Sequence, residues 1–156
     1  MSEISVQEQL NALQDRARII DLVCKFAVSI DRRRWDDLAS CFAEEVELNT
    51  IRTGRWVRMA RTPLIDVLRG AFESYTATQH ISANHQVSID GESASVWSTL
   101  NATHYLQGAA GGEFQQQVGY YEYHLVRDGD WKITKVQQFA HWQRGNQEIF
   151  DRTLQR

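Results

Sequence analysis

The chain has 156 residues, 42% of them apolar and 24% charged, a balance that fits one globular domain over 1–156 and excludes a disordered chain. Lys and Arg number 17 against 20 Asp and Glu, a net charge of −3, which excludes nucleic-acid binding driven by overall positive charge. No run approaches the ~18 apolar residues that span a membrane, and the first residues lack the basic-then-apolar order of a secretory signal, so a cytoplasmic protein with no membrane partner is expected.

Ser5-Val6-Gln7-Glu8 reads as a capping box that opens a first helix over 6–30. Leu10, Leu13, Ala17, Ile20, Cys24 and Ala27 recur in steps of three and four and trace its apolar face. The next step of four lands on Asp31. A carboxylate thus stands where the pattern asks for a core residue, and a buried carboxylate has to be neutralised, hydrogen-bonded or paired. A short second helix follows over 33–42, with Trp35, Leu38, Ala39 and Phe42 on one face. Residues 45–49 alternate as a strand. Over 51–61, Arg52, Arg55, Arg58 and Arg61 recur every third residue around Trp56, Val57 and Met59, in a strand or an irregular excursion. Those arginines form either an anion site for a ligand carboxylate or phosphate, or a solvated basic edge. Thr62-Pro63 predicts a third helix, with Thr62 as N-cap, Pro63 at the first helical position, and Leu64, Leu68, Ala71, Phe72 and Tyr75 as its apolar face.

After it the period changes to two. Extended segments over 79–89, 93–107, 113–127 and 131–144 are joined by Asp90-Gly91, by a glycine-rich stretch over 108–112, and by Asp128-Gly129-Asp130. These turns predict an antiparallel meander. Val96, Ser98, Leu100 and Ala102 fall on one face, and Trp97, Thr99, Asn101 and Thr103 on the other. His80 and His85 differ by an odd number and fall on opposite faces of a regular strand.

Three stretches carry a family resemblance. They are Ser29-Ile30-Asp31 with Trp35-Asp36-Asp37-Leu38-Ala39-Ser40-Cys41-Phe42; Gln79-His80-Ile81-Ser82-Ala83-Asn84 leading to Val87-Ser88-Ile89-Asp90-Gly91; and Gly119-Tyr120-Tyr121 through Leu125-Val126-Arg127-Asp128-Gly129-Asp130-Trp131-Lys132-Ile133. Together with the element order, they resemble the SnoaL-like branch of the nuclear transport factor 2-like proteins. The resemblance implies an α+β fold: a cone-shaped, curved antiparallel sheet, made of a four-strand meander plus short strands, packed on three helices. The branch includes scytalone dehydratase, bile-acid 7α-dehydratase and hexachlorocyclohexane dehydrochlorinase. In its lyases an Asp at the end of the first helix pairs with a His on the first long strand, which implies Asp31 and His80 here. Two departures stand out. The dehydratases carry a Tyr five residues before the Asp, where this chain has Phe26. The last-strand Arg of the dehydrochlorinase and the bile-acid enzyme has no match, since Val136 and Ala140 fall near its place. Asn84, Tyr120 and His141 are the alternatives for binding a leaving or carbonyl oxygen.

A His takes and returns a proton near neutral pH, and an Asp on one ring nitrogen fixes its tautomer. The pair suffices for proton abstraction beside a carbonyl or for β-elimination of water or halide, so no metal and no organic cofactor is expected. Cys24 and Cys41 make neither C-x-x-C nor a zinc spacing and read as small core residues. Competing structural readings make Asp31 an N-cap or a partner of Arg32, Arg33 and Arg34, and His80 a core histidine bonded to backbone. Phe26, Trp35, Trp56, Phe72, Tyr75, Tyr120 and Phe139, with Asn84, Ser98, Leu100 and His141, are the expected pocket for a small hydrophobic molecule; core filling is the alternative for the aromatics. The expected function is a cofactor-independent lyase or isomerase on a small cyclic substrate. The alternative is a non-catalytic ligand-binding or accessory subunit, such as the small subunit of a ring-hydroxylating dioxygenase. Outward-facing Trp97 also predicts a homodimer or homotrimer through the sheet.

Overall fold

The computed structural model describes residues 5–51 and 53–151, so Arg52 lies outside the described residues. Ser5 and Glu8 form the expected capping box, and helix α1 runs Val6–Asp31. Its buried side is Ile19, Val23, Phe26, Ala27 and Ile30, one residue out of phase with the expected stripe. Leu10 and Leu13 are exposed, because burial of this helix begins only at Ile19. A turn leads to α2 (Trp35–Ser40), then β1 (Phe42–Asn49) and β2 (Val57–Ala60).

β2 feeds directly into α3 (Arg61–Phe72), whose N-cap is Ala60 rather than Thr62. The β1–β2 pairing extends to Ala60, so the helix begins where that ladder ends. Pro63 therefore sits third, still among the residues whose N–H has no partner inside a helix. Then come β3 (Ala77–Asp90), β4 (Ser93–Tyr105), β5 (Phe114–Asp128) and β6 (Asp130–Gly145). A fourth helix, α4 (Gln147–Asp151), was not expected; one turn is too short to show a helical period.

The six strands form one curved, unclosed sheet in the order β2-β1-β6-β5-β4-β3. The meander is antiparallel, whereas β1 joins β6 in parallel. The inner face carries Val96, Leu100, Ala102, Tyr123, Leu125 and Ile133, which pack with α1 and α3 in one core. Alternation along β4 holds throughout: Val96, Ser98, Leu100, Ala102 and His104 are buried.

Bulges bend the sheet, as an extra residue on one strand of a pair does. They interrupt the ladders between Ala83 and Gln86, between Val118 and Gly119, and between His124 and Leu125. At the first, Asn84 adopts a left-handed φ of 56°. The inserted residue turns His85 back to the side of Ser82, whose hydroxyl lies 3.2 Å from His85 Nε2. His80 and His85 therefore share a face, contrary to the odd-number rule for a regular strand. At the second, a Cβ on Gly119 would lie 1.8 Å from the Phe139 carbonyl oxygen, so only glycine fits.

Candidate active site

α1 ends on Asp31, and Arg33 follows in the left-handed region at φ 56°. Such a conformation in a non-glycine residue costs on the order of 1 kcal/mol and persists only where the surroundings impose it. Here Arg34 N donates to Ser29 O at 2.9 Å. The Arg33 guanidinium turns back to donate to Ile30 O at 2.6 Å and to the Thr78 hydroxyl at 3.0 Å. Thr78 in turn donates to Asp31 Oδ1 at 2.9 Å. Of the three arginines, Arg33 is thus linked to Asp31 through one hydroxyl, while Arg34 lies 4.0 Å from Asp37. Asp31 caps no helix either, since the N-cap of α2 is Arg34.

Both carboxylate oxygens are engaged by His80. Its backbone N–H donates to Oδ2 at 2.7 Å, and Nδ1 lies 2.7 Å from Oδ1. Burial, the largest influence on the Asp31 carboxyl, raises its pKa; the His80 ring and amide and the Thr78 hydroxyl outweigh it and leave it below the usual value. An ionised carboxylate only accepts, so Nδ1 carries the proton, and in the neutral ring it is Nε2 that bears the lone pair. The His80 ring is held edge-on by Phe72 at 5.5 Å and by His104 at the same separation.

His80 lines a cavity of about 120 Å³ whose other walls are mostly apolar, among them Phe26, Ile30, Leu64, Leu68, Phe72 and Val136. A dry apolar cavity of ~150 Å³ takes benzene, so the space suits a single-ring molecule. Besides Thr50 and Thr53 between β1 and β2, the polar groups on its walls come from the sheet: His80 from β3, His104 from β4, Gln117 and Tyr121 from β5, and Gln138 from β6. Register puts His80 opposite Ala102, and Ala102 opposite Gln117. Tyr121 packs edge-on against Phe26 at 6.0 Å, and burial together with the Asp31 charge raises its phenol pKa. Phe150 of α4 also lines the cavity and packs on His104. Among the described residues no group of three His, Cys, Asp or Glu side chains is placed to hold a metal ion.

Of the residues expected in the pocket, Phe26 and Phe72 line this cavity. Tyr75 packs behind it, against Phe72 and His104. Ser98 and Leu100 are buried in the core, Ser98 accepting from Ser82. Trp35 lies outside on Glu73, and Trp56 is exposed beneath Lys135. Tyr120, Phe139 and His141 stack with Trp97 in a row, on the face opposite the one Tyr121 presents. Asn84 is exposed at the β3 bulge near Thr99. The three alternatives for an oxygen-binding group therefore stand outside the cavity. The arginines are dispersed too: Arg58 pairs with Glu45 and Arg61 reaches Phe42 O.

Sequence reasoning missed Gln115 and Gln117, both fully buried. The available signal was their spacing of two, in phase with Tyr121, Tyr123 and Leu125 on the inward side of β5. Gln115 Oε1 accepts from His104 Nδ1 at 2.9 Å, and Gln115 Nε2 donates to Gln143 and Gln147 at 3.3 Å. Gln117 Oε1 accepts from Gln138 at 3.1 Å, while Gln117 Nε2 is buried with no hydrogen-bond partner among the described residues.

Among curated proteins no sequence matches this chain. Solved structures do. The Kfla4162 protein from Kribbella flavida is 26% identical, covers 90% of this chain and 99% of its own, and superposes with a TM-score of 0.84. The hexachlorocyclohexane dehydrochlorinase LinA-type3 from Novosphingobium barchaimii is 18% identical over 88% of this chain and 94% of its own, with a TM-score of 0.77. A candidate scytalone dehydratase from Novosphingobium aromaticivorans is 19% identical over 86% and 89%, with a TM-score of 0.75. The model of the SnoaL-like domain matches residues 11–137, most of the curved sheet and the helices it holds, and the chain belongs to the SnoaL-like family of nuclear transport factor 2-like proteins.

Proposed function

We propose that the chain is a cofactor-independent lyase or isomerase that removes a proton from a small, hydrophobic, cyclic substrate, with His80 as base and Asp31 as its orienter. The observation that carries this is the 2.7 Å contact between Asp31 Oδ1 and His80 Nδ1 at the wall of an apolar cavity. Nε2 takes the proton from a carbon, and the C–H electron pair moves into a new C=C bond. In an elimination the β-substituent leaves with its own bonding pair. In an isomerisation the imidazolium returns the proton to another carbon. Asp31 stabilises that imidazolium without itself being protonated. The similarity to a dehydrochlorinase and a candidate dehydratase supports the same reaction class.

The reading extends to assembly. Trp97, Tyr120 and Phe139 form an aromatic row, and Phe139 and Trp142 are exposed. Burial of that face between copies gives a homodimer or homotrimer through the sheet.

Native mass spectrometry of gently isolated protein tests the functional reading. It should retain a ring compound, and wild-type protein should convert that compound while His80→Ala does not. A retained compound that wild-type protein leaves unchanged, together with co-purification of a larger iron-containing subunit, would instead establish the accessory role.

A further inference from the structure

Gln117 is fully buried, and its Nε2 has no hydrogen-bond partner among the described residues. A buried donor left unmade is costly, so such groups are kept where something else supplies the acceptor. Gln117 lines the same cavity as His80. Its Oε1 is fixed by Gln138, which orients the amide. His80, Ala102 and Gln117 stand side by side across β3, β4 and β5. Neighbouring strands lie about 4.8 Å apart, so the two polar residues flank a gap of roughly 10 Å between backbones. Between them Ala102 contributes only a methyl group.

We propose that Gln117 Nε2 donates a hydrogen bond to an oxygen of the substrate, and that the substrate is therefore a cyclic carbonyl compound rather than a halogenated hydrocarbon. The substrate class rests on the proton-abstraction reading above; the donor itself does not. When His80 removes a proton beside the carbonyl, negative charge builds on the oxygen, and a preorganised amide N–H stabilises it. Gln117 thus fills from β5 the place for which Asn84, Tyr120 and His141 were considered.

Three single-ring probes decide the matter: cyclohexanone, which only accepts; methylenecyclohexane, its hydrocarbon isostere; and pyrrole, which donates. Wild-type protein, titrated by NMR, should bind cyclohexanone on the order of ten- to a hundredfold more tightly than methylenecyclohexane, the range set by one unpaired buried donor. The infrared carbonyl band of bound cyclohexanone should move to lower frequency, a readout that needs no variant. Gln117→Leu and the equally long Gln117→Met should both erase the preference and the band shift while still binding methylenecyclohexane. His80→Ala should keep both, so that a failure of the dyad and a failure of the donor are told apart. Equal binding of the two isosteres by wild-type protein, an unshifted band, or no binding of cyclohexanone overturns the proposal. So does a preference that survives in Gln117→Met, one lost in His80→Ala, or a preference for pyrrole, which would mean that the amide oxygen faces the ligand.

Discussion

Asp31 accepts from Thr78, from the His80 amide and from the His80 ring, so its rotamer is set before any ligand arrives. Asp31→Asn keeps the shape but reverses one donor–acceptor relation and favours the wrong imidazole tautomer. Turnover of the retained compound should fall by up to about 10⁴-fold, with binding of methylenecyclohexane unchanged. Thr78→Val removes one donor from Asp31 and the acceptor that holds Arg33; a thermal melt should show a loss of about 1–2 kcal/mol. Asp31 was legible in the sequence because a charge broke an apolar period, and His80 because family resemblance supplied it. Gln117 was not legible: a Gln-Gln-Gln run over 115–117 reads as surface until the strand's phase is known. Tyr120, Phe139 and His141 were expected to line the pocket and instead pack beside Trp97, since aromatic type says nothing about which side of a sheet a residue takes.

At the scale of elements, α1 is tied to the sheet by Arg127. Its guanidinium grips Asp15 with both ends at 3.0 and 2.6 Å, and Trp131 Nε1 donates to the same carboxylate at 3.3 Å. The guanidinium also lies 4.4 Å from the Trp131 ring centroid. Arg127→Ala should cost about 1–2 kcal/mol in a urea titration, and Arg127→Lys should recover little, since a single ammonium cannot form the fork. Gly119→Ala drives a methyl into the Phe139 carbonyl. It should cost about 3 kcal/mol or more, read as a fall in thermal midpoint, and should disturb Gln117 and Tyr121 on either side. The meander was legible, because a change of period and three turn signals need no tertiary knowledge. The start of burial at Ile19, the parallel β1–β6 pair and α4 were not, since each depends on what packs opposite.

For the whole molecule, Asp15 and Asp31 are the carboxylates whose contacts between α1 and the sheet contribute to stability in acid, whereas the lowered Glu8 and Glu113 are exposed. Hydrogen bonds from Arg127 hold Asp15 below its ordinary value, and Asp31 is also lowered on balance. A depressed folded pKa adds stability above the unfolded value, near ~3.9, and that stability is lost as pH falls through the folded value. The melting temperature should therefore drop steeply below about pH 4, and Asp15→Asn should flatten that limb. Assembly through the sheet predicts a dimer or trimer in light scattering, and a monomer at micromolar concentration contradicts it. The central claim is that His80, oriented by Asp31, takes a proton from a carbon beside a carbonyl. Its most direct test follows the α-protons of cyclohexanone by ¹H NMR in D₂O. Wild-type protein should speed their exchange over buffer, His80→Ala should return it to the buffer rate, and Asp31→Asn should lie close to His80→Ala. Exchange no faster than buffer with wild-type protein, or equally fast with His80→Ala, would contradict the account.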